Sequence, residues 1–316
     1  MIRTVAVIGS GYMGGGIAQV LALAGASVRL ADISEEIASK NLARIISEAA
    51  QFEAEGLFPD GAAATIERNV VAAESIEAAV GGVDFVEEAV PEILSVKHET
   101  LARISAAADA TTIIGSNTST ISINALAEAV VAPERFVGIH FSNPAPFIPG
   151  VELIPHDLTD ASILPPVEEL LEAAGKSSAR ITDSTGFVLN RLQYALFHEA
   201  TQLVEEGVAT PEDIDTIVRT TFGFRLPFFG PFLIADMAGL DVYSFCYTSL
   251  QTRFDERFAT PKILSDLVDA GRLGTKTGGG FIDIAADRTP ELIAYRNRAY
   301  VKMQQLLDEL GPAPTA

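Results

Sequence analysis

The first fourteen residues leave few folds open to the chain. Val5-Ala-Val-Ile8 is a short apolar run that meets Gly9-Ser-Gly11-Tyr12-Met13-Gly14, and a second apolar stretch begins at Ile17. A strand that ends in G-x-G-x-x-G and continues as a helix is the opening of a βαβ unit. Gly9 permits the tight turn, Gly11 lets backbone approach a pyrophosphate, and Gly14 lets the helix pack on the strand. The helix N-terminus then offers unpaired N–H groups and positive dipole to the phosphates. The next apolar run, Ser27–Ala31, leads into Asp32, where a carboxylate accepts both ribose hydroxyls and repels a 2′-phosphate. The segment therefore predicts an NAD site contacted by Gly9, Gly11, Tyr12, Met13, Gly14 and Asp32. The plainer alternative, a glycine turn with Asp32 capping the next helix, requires position, context and acid to agree by chance. FAD shares the fingerprint, and the later motifs argue against it.

The alternation continues. A long helical stretch covers about 35 to 55, and β-rich runs follow at Val83–Val86, Thr112–Gly115, Arg135–Phe141, Val151–Ile154 and Ala179–Thr182. Strands alternating with helices predict an α/β fold with a Rossmann-type, doubly wound parallel sheet. After Asp183-Ser-Thr-Gly186 the pattern changes to helices, expected at Phe187–Gly207, Glu212–Thr220, Leu233–Cys246, Lys262–Ala270 and Glu291–Leu310. The expected organisation is an NAD-binding domain over 1–183 and an all-helical substrate and dimerisation domain over 184–316. The Pro- and Ala-rich tail Gly311–Ala316 is expected to fray.

A net charge of −20 repels phosphate backbones and argues against nucleic-acid partners. The single cysteine, Cys246, excludes an intrachain disulfide and reads as a buried structural thiol. No apolar stretch reaches the length of a membrane span and the N-terminus has no secretory pattern, so a cytoplasmic protein without membrane contact is expected. No metal is expected.

Three further segments carry polar residues where a plain core would not: Gly115-Ser-Asn117-Thr-Ser119-Thr, His140-Phe-Ser-Asn143-Pro144 followed by Val151-Glu152-Leu, and Thr185-Gly-Phe-Val-Leu-Asn190-Arg191. The first two stand at the carboxyl ends of predicted strands, the usual ligand edge of such sheets. Oxidation of an alcohol by NAD needs a group that accepts a proton as hydride departs. An imidazole does this near neutral pH, and a nearby carboxylate stabilises the imidazolium. A serine and an amide can hold the substrate oxygens. Taken singly each residue has a plainer reading: His140 as a structural histidine, Ser119 as an N-cap for a helix over Ile121–Ala129, Asn190 as a boundary hydrogen-bonder.

Together these segments, with Gly9–Gly14, Glu88–Glu92, Gly230-Pro231 and Gly274–Phe281, resemble the L-3-hydroxyacyl-CoA dehydrogenase family over nearly the whole chain. The resemblance implies NAD-dependent oxidation of a secondary alcohol β to a carbonyl, a small-molecule substrate and a place in fatty acid metabolism, while the Phe- and Leu-rich run Phe222–Leu240 predicts a surface buried in a two-fold homodimer. It implies that His140 is the catalytic base, that Glu152 orients and charge-stabilises it, that Ser119 lies near the substrate oxygen, and that Asn190 stands at the start of the second domain's first helix. It also implies cofactor contacts at Glu92, Lys97, Asn117, Asn143 and Lys276.

Two features point away from a CoA ester. Where CoA-dependent members carry lysines, the long helix reads Ser47-Glu48-Ala-Ala-Gln-Phe-Glu53-Ala-Glu55. The segment from His140 to Glu152, with Ser142 and Ile148-Pro149, resembles relatives acting on small free acids or aldehydes, such as gulonate, carnitine and pyridine-carboxaldehyde dehydrogenases. A third possibility, from a different class, is a non-catalytic NAD-binding structural protein.

Overall fold

The structure, a computed structural model, describes residues 2–311. The tail from Pro312 onward lies outside the described residues. The chain forms two compact units that divide between Leu196 and Phe197.

The first unit contains β1 (Thr4–Ile8), α1 (Tyr12–Leu23), β2 (Ser27–Ala31), α2 (Glu35–Ala54), α3 (Ala62–Asn69), β3 (Val70–Ala72), α4 (Ile76–Val80), β4 (Phe85–Glu88), α5 (Leu94–Ala107), β5 (Ile113–Ser116), α6 (Ile123–Ala127), β6 (Phe136–Phe141), β7 (Gly150–Pro155), α7 (Leu164–Ala173) and β8 (Ser177–Arg180). The eight strands form one sheet in the order β3-β2-β1-β4-β5-β6-β7-β8. Apolar side chains cover both faces. Ile17, Leu21, Ile45, Ile66 and Leu170 belong to one buried layer, and Val80, Leu101, Ile104, Ile123 and Leu126 to the other. This is the doubly wound arrangement, with successive strand residues facing opposite layers.

The expected parallel sheet is corrected at one edge. β7 runs antiparallel to β6, and β8 runs parallel to β7. The reason is the short connection. Eight residues join Phe141 to Gly150, which suffices to reverse the chain but not for a crossover helix. The reversal sets the register that places His140 directly opposite Glu152. In an antiparallel pair such residues project on the same face. The three-residue β3, α3 and α4 were not anticipated; they are too short to carry a clear period.

The helix expected from Phe187 begins two residues later, as α8 (Leu189–Glu205). Gly186 and Phe187 both have positive φ, 76° and 51°, so the chain turns sharply before the helix starts. Phe187 is 1% exposed within the sheet's second apolar layer, which anchors that left-handed backbone. The sequence put the boundary near Ser184; the compact units divide two turns into α8 because its start packs in the first unit.

The second unit contains α9 (Pro211–Thr220), α10 (Phe222–Arg225), α11 (Pro231–Ala238), α12 (Leu240–Phe254), α13 (Lys262–Asp269) and α14 (Thr289–Leu310). The helix expected over Leu233–Cys246 is two helices, broken at Gly239, whose φ of 102° lies outside helical space. Cys246 is exposed rather than buried, because α12 turns that face away from its packed side. Buried Asp236 ties the unit together by accepting the Phe281 and Ile282 N–H groups at 2.9 and 2.7 Å.

One core residue opposes folding. Glu87, on β4, is fully buried and neither carboxyl oxygen has a partner. Burial drives its pKa well above the usual carboxylate range, and the neighbouring Glu88 charge adds to the rise. A raised folded-state pKa means that the unfolded chain ionises first. Keeping the carboxyl protonated therefore adds no cost below the unfolded carboxyl range and adds progressively more as pH climbs toward its folded pKa. An unpaired buried carboxyl costs about 1–3 kcal/mol, comparable to what one buried Leu or Ile contributes. Glu87→Met should raise the melting temperature by several degrees at pH 7, and the gain should shrink at pH 4, as followed by calorimetry.

Candidate active site

The glycine turn is built by close approach. A Cβ on Gly14 would stand 1.7 Å from the Gly9 carbonyl oxygen, and one on Gly9 would meet the Ala89 carbonyl at 2.6 Å. Gly11 has nothing within 4 Å of its missing Cβ, so it presents bare backbone to open space. That space is a cavity of 590 Å³ whose wall includes Gly9, Gly11, Tyr12, Met13, Asp32, Glu92, Asn117 and Ser119. Asp32 is fixed by Ser10, whose N–H and hydroxyl donate to it at 2.7 and 2.5 Å, and Asn41 donates to the Ser10 hydroxyl at 2.8 Å. Carboxylate oxygens carry lone pairs beyond those used, so Asp32 can still accept from a diol. An open glycine turn leading into a helix N-terminus, with a carboxylate at the next strand end, fits NAD. Arg44 was not foreseen: it donates to the Ser10 and Gly11 carbonyls, both at 3.1 Å, and adds positive charge beside the turn. A lone arginine on an amphipathic helix gives no signal of this in sequence.

A second cavity, of 580 Å³, includes His140, Ser142, Asn143, Ile148, Leu189, Asn190 and Gln193 in its wall. Met13, Asn117 and Ser119 line both cavities. His140 is buried, with Nδ1 2.7 Å from Glu152 Oε2 and Nε2 3.1 Å from the Ser119 hydroxyl. An ionised carboxylate only accepts, so this geometry puts the proton of the neutral ring on Nδ1 and leaves the Nε2 lone pair toward Ser119 and the cavity. Glu152 Oε1 accepts the Val188 and Leu189 N–H groups, each at 2.9 Å. Those are orphan donors at the start of α8, where negative charge is favoured. Asn190 Nδ2 donates to the Ser119 carbonyl at 2.9 Å. His140, Glu152, Ser119 and Asn190, far apart in sequence, thus form one hydrogen-bonded group.

Charged groups on either side support it. Glu92 Oε1 accepts from the Thr118 hydroxyl at 2.8 Å and from the Ser119 and Thr120 N–H groups at 2.9 and 2.8 Å. Partial burial pushes the Glu92 carboxyl up, but these hydrogen bonds and the Lys97 charge outweigh it and hold the pKa below the usual range. Lys97 itself is fully buried and paired with Glu88 at 2.8 Å; Ser116 donates to the same carboxylate at 2.5 Å. Its ammonium is enclosed by Glu88 and the Val90 carbonyl and lies 3.7 Å from Glu92, which lines the cavity. Buried Lys176 donates to the Ala145 and Ile148 carbonyls at 2.5 and 2.8 Å and holds the loop that follows His140. Burial pushes its pKa below that of an ordinary lysine.

The remaining expected residues fall as follows. Asn117 Oδ1 accepts the Phe141 N–H at 2.8 Å, which links the ends of β5 and β6. Asn143 lines the second cavity. Lys276, in the second unit, is paired with Asp241 at 2.7 Å. The N-cap of α6 is Ser122, which leaves Ser119 free of that role.

Comparison with known proteins agrees with the geometry. Residues 4–184 match the model of the 3-hydroxyacyl-CoA dehydrogenase NAD binding domain, and residues 186–284 that of the 3-hydroxyacyl-CoA dehydrogenase C-terminal domain. The chain is 33% identical over 310 residues to a 5-formyl-3-hydroxy-2-methylpyridine 4-carboxylate 5-dehydrogenase of Mesorhizobium japonicum, covering 98% of this chain and 99% of that protein. It is 34% identical over 283 residues to a probable 3-hydroxybutyryl-CoA dehydrogenase of Bacillus subtilis, covering 89% and 97%. A crystal structure of a 3-hydroxyacyl-CoA dehydrogenase from Archaeoglobus fulgidus superposes with a TM-score of 0.79 at 31% identity, covering 98% of this chain and 99% of the other. The chain belongs to the 3-hydroxyacyl-CoA dehydrogenase family and is an NAD-dependent oxidoreductase.

Proposed function

We propose that the protein oxidises a secondary alcohol β to a carbonyl, with His140 as general base. The observation that carries this reading is the clamping of both His140 nitrogens, Nδ1 by Glu152 and Nε2 toward Ser119, at the wall of a cavity continuous in its lining with the glycine turn. Bound NAD supplies the hydride acceptor. His140 Nε2 takes the hydroxyl proton of the substrate, and the Ser119 hydroxyl keeps the alcohol oxygen in line with that lone pair. Glu152 stabilises the imidazolium so formed, and its second oxygen, tied to the α8 backbone, fixes the ring's orientation. Asn190 holds the Ser119 segment and offers its own carbonyl oxygen to the cavity. In these roles Gly9, Gly11, Tyr12, Met13, Gly14, Asp32, Glu92, Lys97, Asn117 and Asn143 form the cofactor side.

A non-CoA substrate is the second reading, favoured by the surface of α2. Arg44 is engaged with Glu48 and the glycine turn, Glu53 caps the start of α3 through the Gly61 and Ala63 N–H groups, and Glu55 is exposed. Lys40 is then the one uncommitted cation along that helix. A polyanion approaching within a Debye length of roughly 8–10 Å meets net negative charge. The relative from Mesorhizobium japonicum bears the name of a pyridine carboxylate dehydrogenase. A place in fatty acid metabolism belongs to the CoA-ester reading alone.

A homodimer is proposed from the second unit. Phe197, Val208 and Ile217 are exposed, and Phe197, Val204, Pro211 and Ile214 line an apolar groove between α8 and α9. A two-fold pair is the commonest closed assembly that buries such a face.

Three measurements test these proposals. His140→Ala should lower kcat by about 10²–10⁴-fold with NAD affinity retained, and Glu152→Gln should lower turnover too, followed as NADH formation at several pH values; full activity in His140→Ala removes the histidine from the mechanism. With 3-hydroxybutyryl-CoA and free 3-hydroxybutyrate side by side, the ester's KM should fall as salt rises and Glu55→Lys should raise kcat/KM for the ester alone; a low micromolar KM that worsens with salt returns the CoA reading. Light scattering at micromolar concentration should give twice the 33.5 kDa chain mass.

A further inference from the structure

The second cavity has a polar wall with no lysine, arginine or carboxylate in its lining. Most of its polar side chains are already committed. Ser119 faces His140, Asn117 accepts the Phe141 N–H, and the Asn190 amide donates to the Ser119 carbonyl. Gln193, Ser142 and Asn143 differ: among the described residues none of the three side chains has a hydrogen-bond partner, yet all line the cavity, and the resemblance gives Asn143 to the cofactor. Gln193 follows Asn190 by three residues on α8, so the two amides lie on one helix face. Ser142 follows His140 by two residues, just past the end of β6.

An amide facing water loses nothing. The same amide under a bound substrate must find a partner or be left desolvated and unpaired. An alkyl chain gives it none, whereas a hydroxyl both donates and accepts, as an amide and a serine hydroxyl do. A wall built this way discriminates by omission, because the analogue that lacks the partner strands the protein's own polar groups. A bare carboxylate matches the wall less well, since no cation lines it.

We infer that Gln193 is a specificity-determining residue whose amide, in the same cavity wall as Ser142, takes a hydroxyl substituent on the substrate chain next to the reacting alcohol carbon, so that the enzyme prefers a small polyhydroxylated substrate to one with a plain alkyl chain. The inference rests on the reading that this cavity holds the substrate of His140.

The test uses a matched pair that differs by one hydroxyl, 3,4-dihydroxybutyrate and 3-hydroxybutyrate, each offered to the full-length protein with NAD as the free acid and as the CoA thioester. The wild-type ratio of kcat/KM should favour the dihydroxy compound by at least about 10-fold. Gln193→Met and Gln193→Leu should each bring the ratio to near one, with NAD affinity by fluorescence titration unchanged. A wild-type ratio near one, or a preference that survives both variants, overturns the role of Gln193. If only the thioesters turn over, the free-acid reading fails while the ratio still decides the role of Gln193. Inactivity with all four compounds overturns both.

Discussion

The Glu152 carboxylate is the joint on which the site depends. One oxygen takes the His140 ring and the other takes two backbone N–H groups at the start of α8. Three segments distant in sequence therefore share one charge. Removing it would leave a buried imidazole without its acceptor and a helix start without its cap, costs that fall on different elements but share one origin. The arrangement exists because β7 reverses direction after a short loop. With eight residues between the strands a parallel crossover is out of reach, so only the reversal brings Glu152 opposite His140. The edge that departs from the regular doubly wound pattern is the edge that sets His140 against Glu152.

Other contacts keep the group from drifting. Glu92 gathers the N–H groups of the loop that carries Ser119, and the Glu88–Lys97 pair beneath it is fully buried. Breaking one side of such a pair costs about 3–5 kcal/mol, because it strands the remaining charge, so this support is rigid. Lys176 does similar work from the other side by donating to carbonyls of the loop after His140. The site sits at strand ends and loops, yet each loop is tied by a charged group to something buried.

Much of this was legible in the sequence for physical reasons. The glycine turn is readable because only glycine tolerates the approach of Gly14 to the Gly9 carbonyl, so the requirement is written in residue identity. The helices with strong periods were readable too, and so was the gathering of polar residues at strand ends. The reversal of β7 was hidden: Val151–Ile154 reads as an apolar run whichever way it points, and only pairing decides direction. The burial of Lys97 was hidden because its partner Glu88 lies nine residues away across a turn, a spacing with no helical or strand signature. The break at Gly239 passed unnoticed since an isolated glycine within an apolar helical pattern is often tolerated. Glu87 could not be recognised as unpaired, for a glutamate in a short strand shows nothing about what faces it.

The two cavities share Met13, Asn117 and Ser119 in their walls. Asn117 at the same time bridges the ends of β5 and β6, and Ser119 sits on the loop held by Glu92. A molecule in the first cavity therefore rests on the side chains that shape the second. Thermodynamic reciprocity then applies: whatever the first occupant does to the affinity of the second, the second does equally to the first.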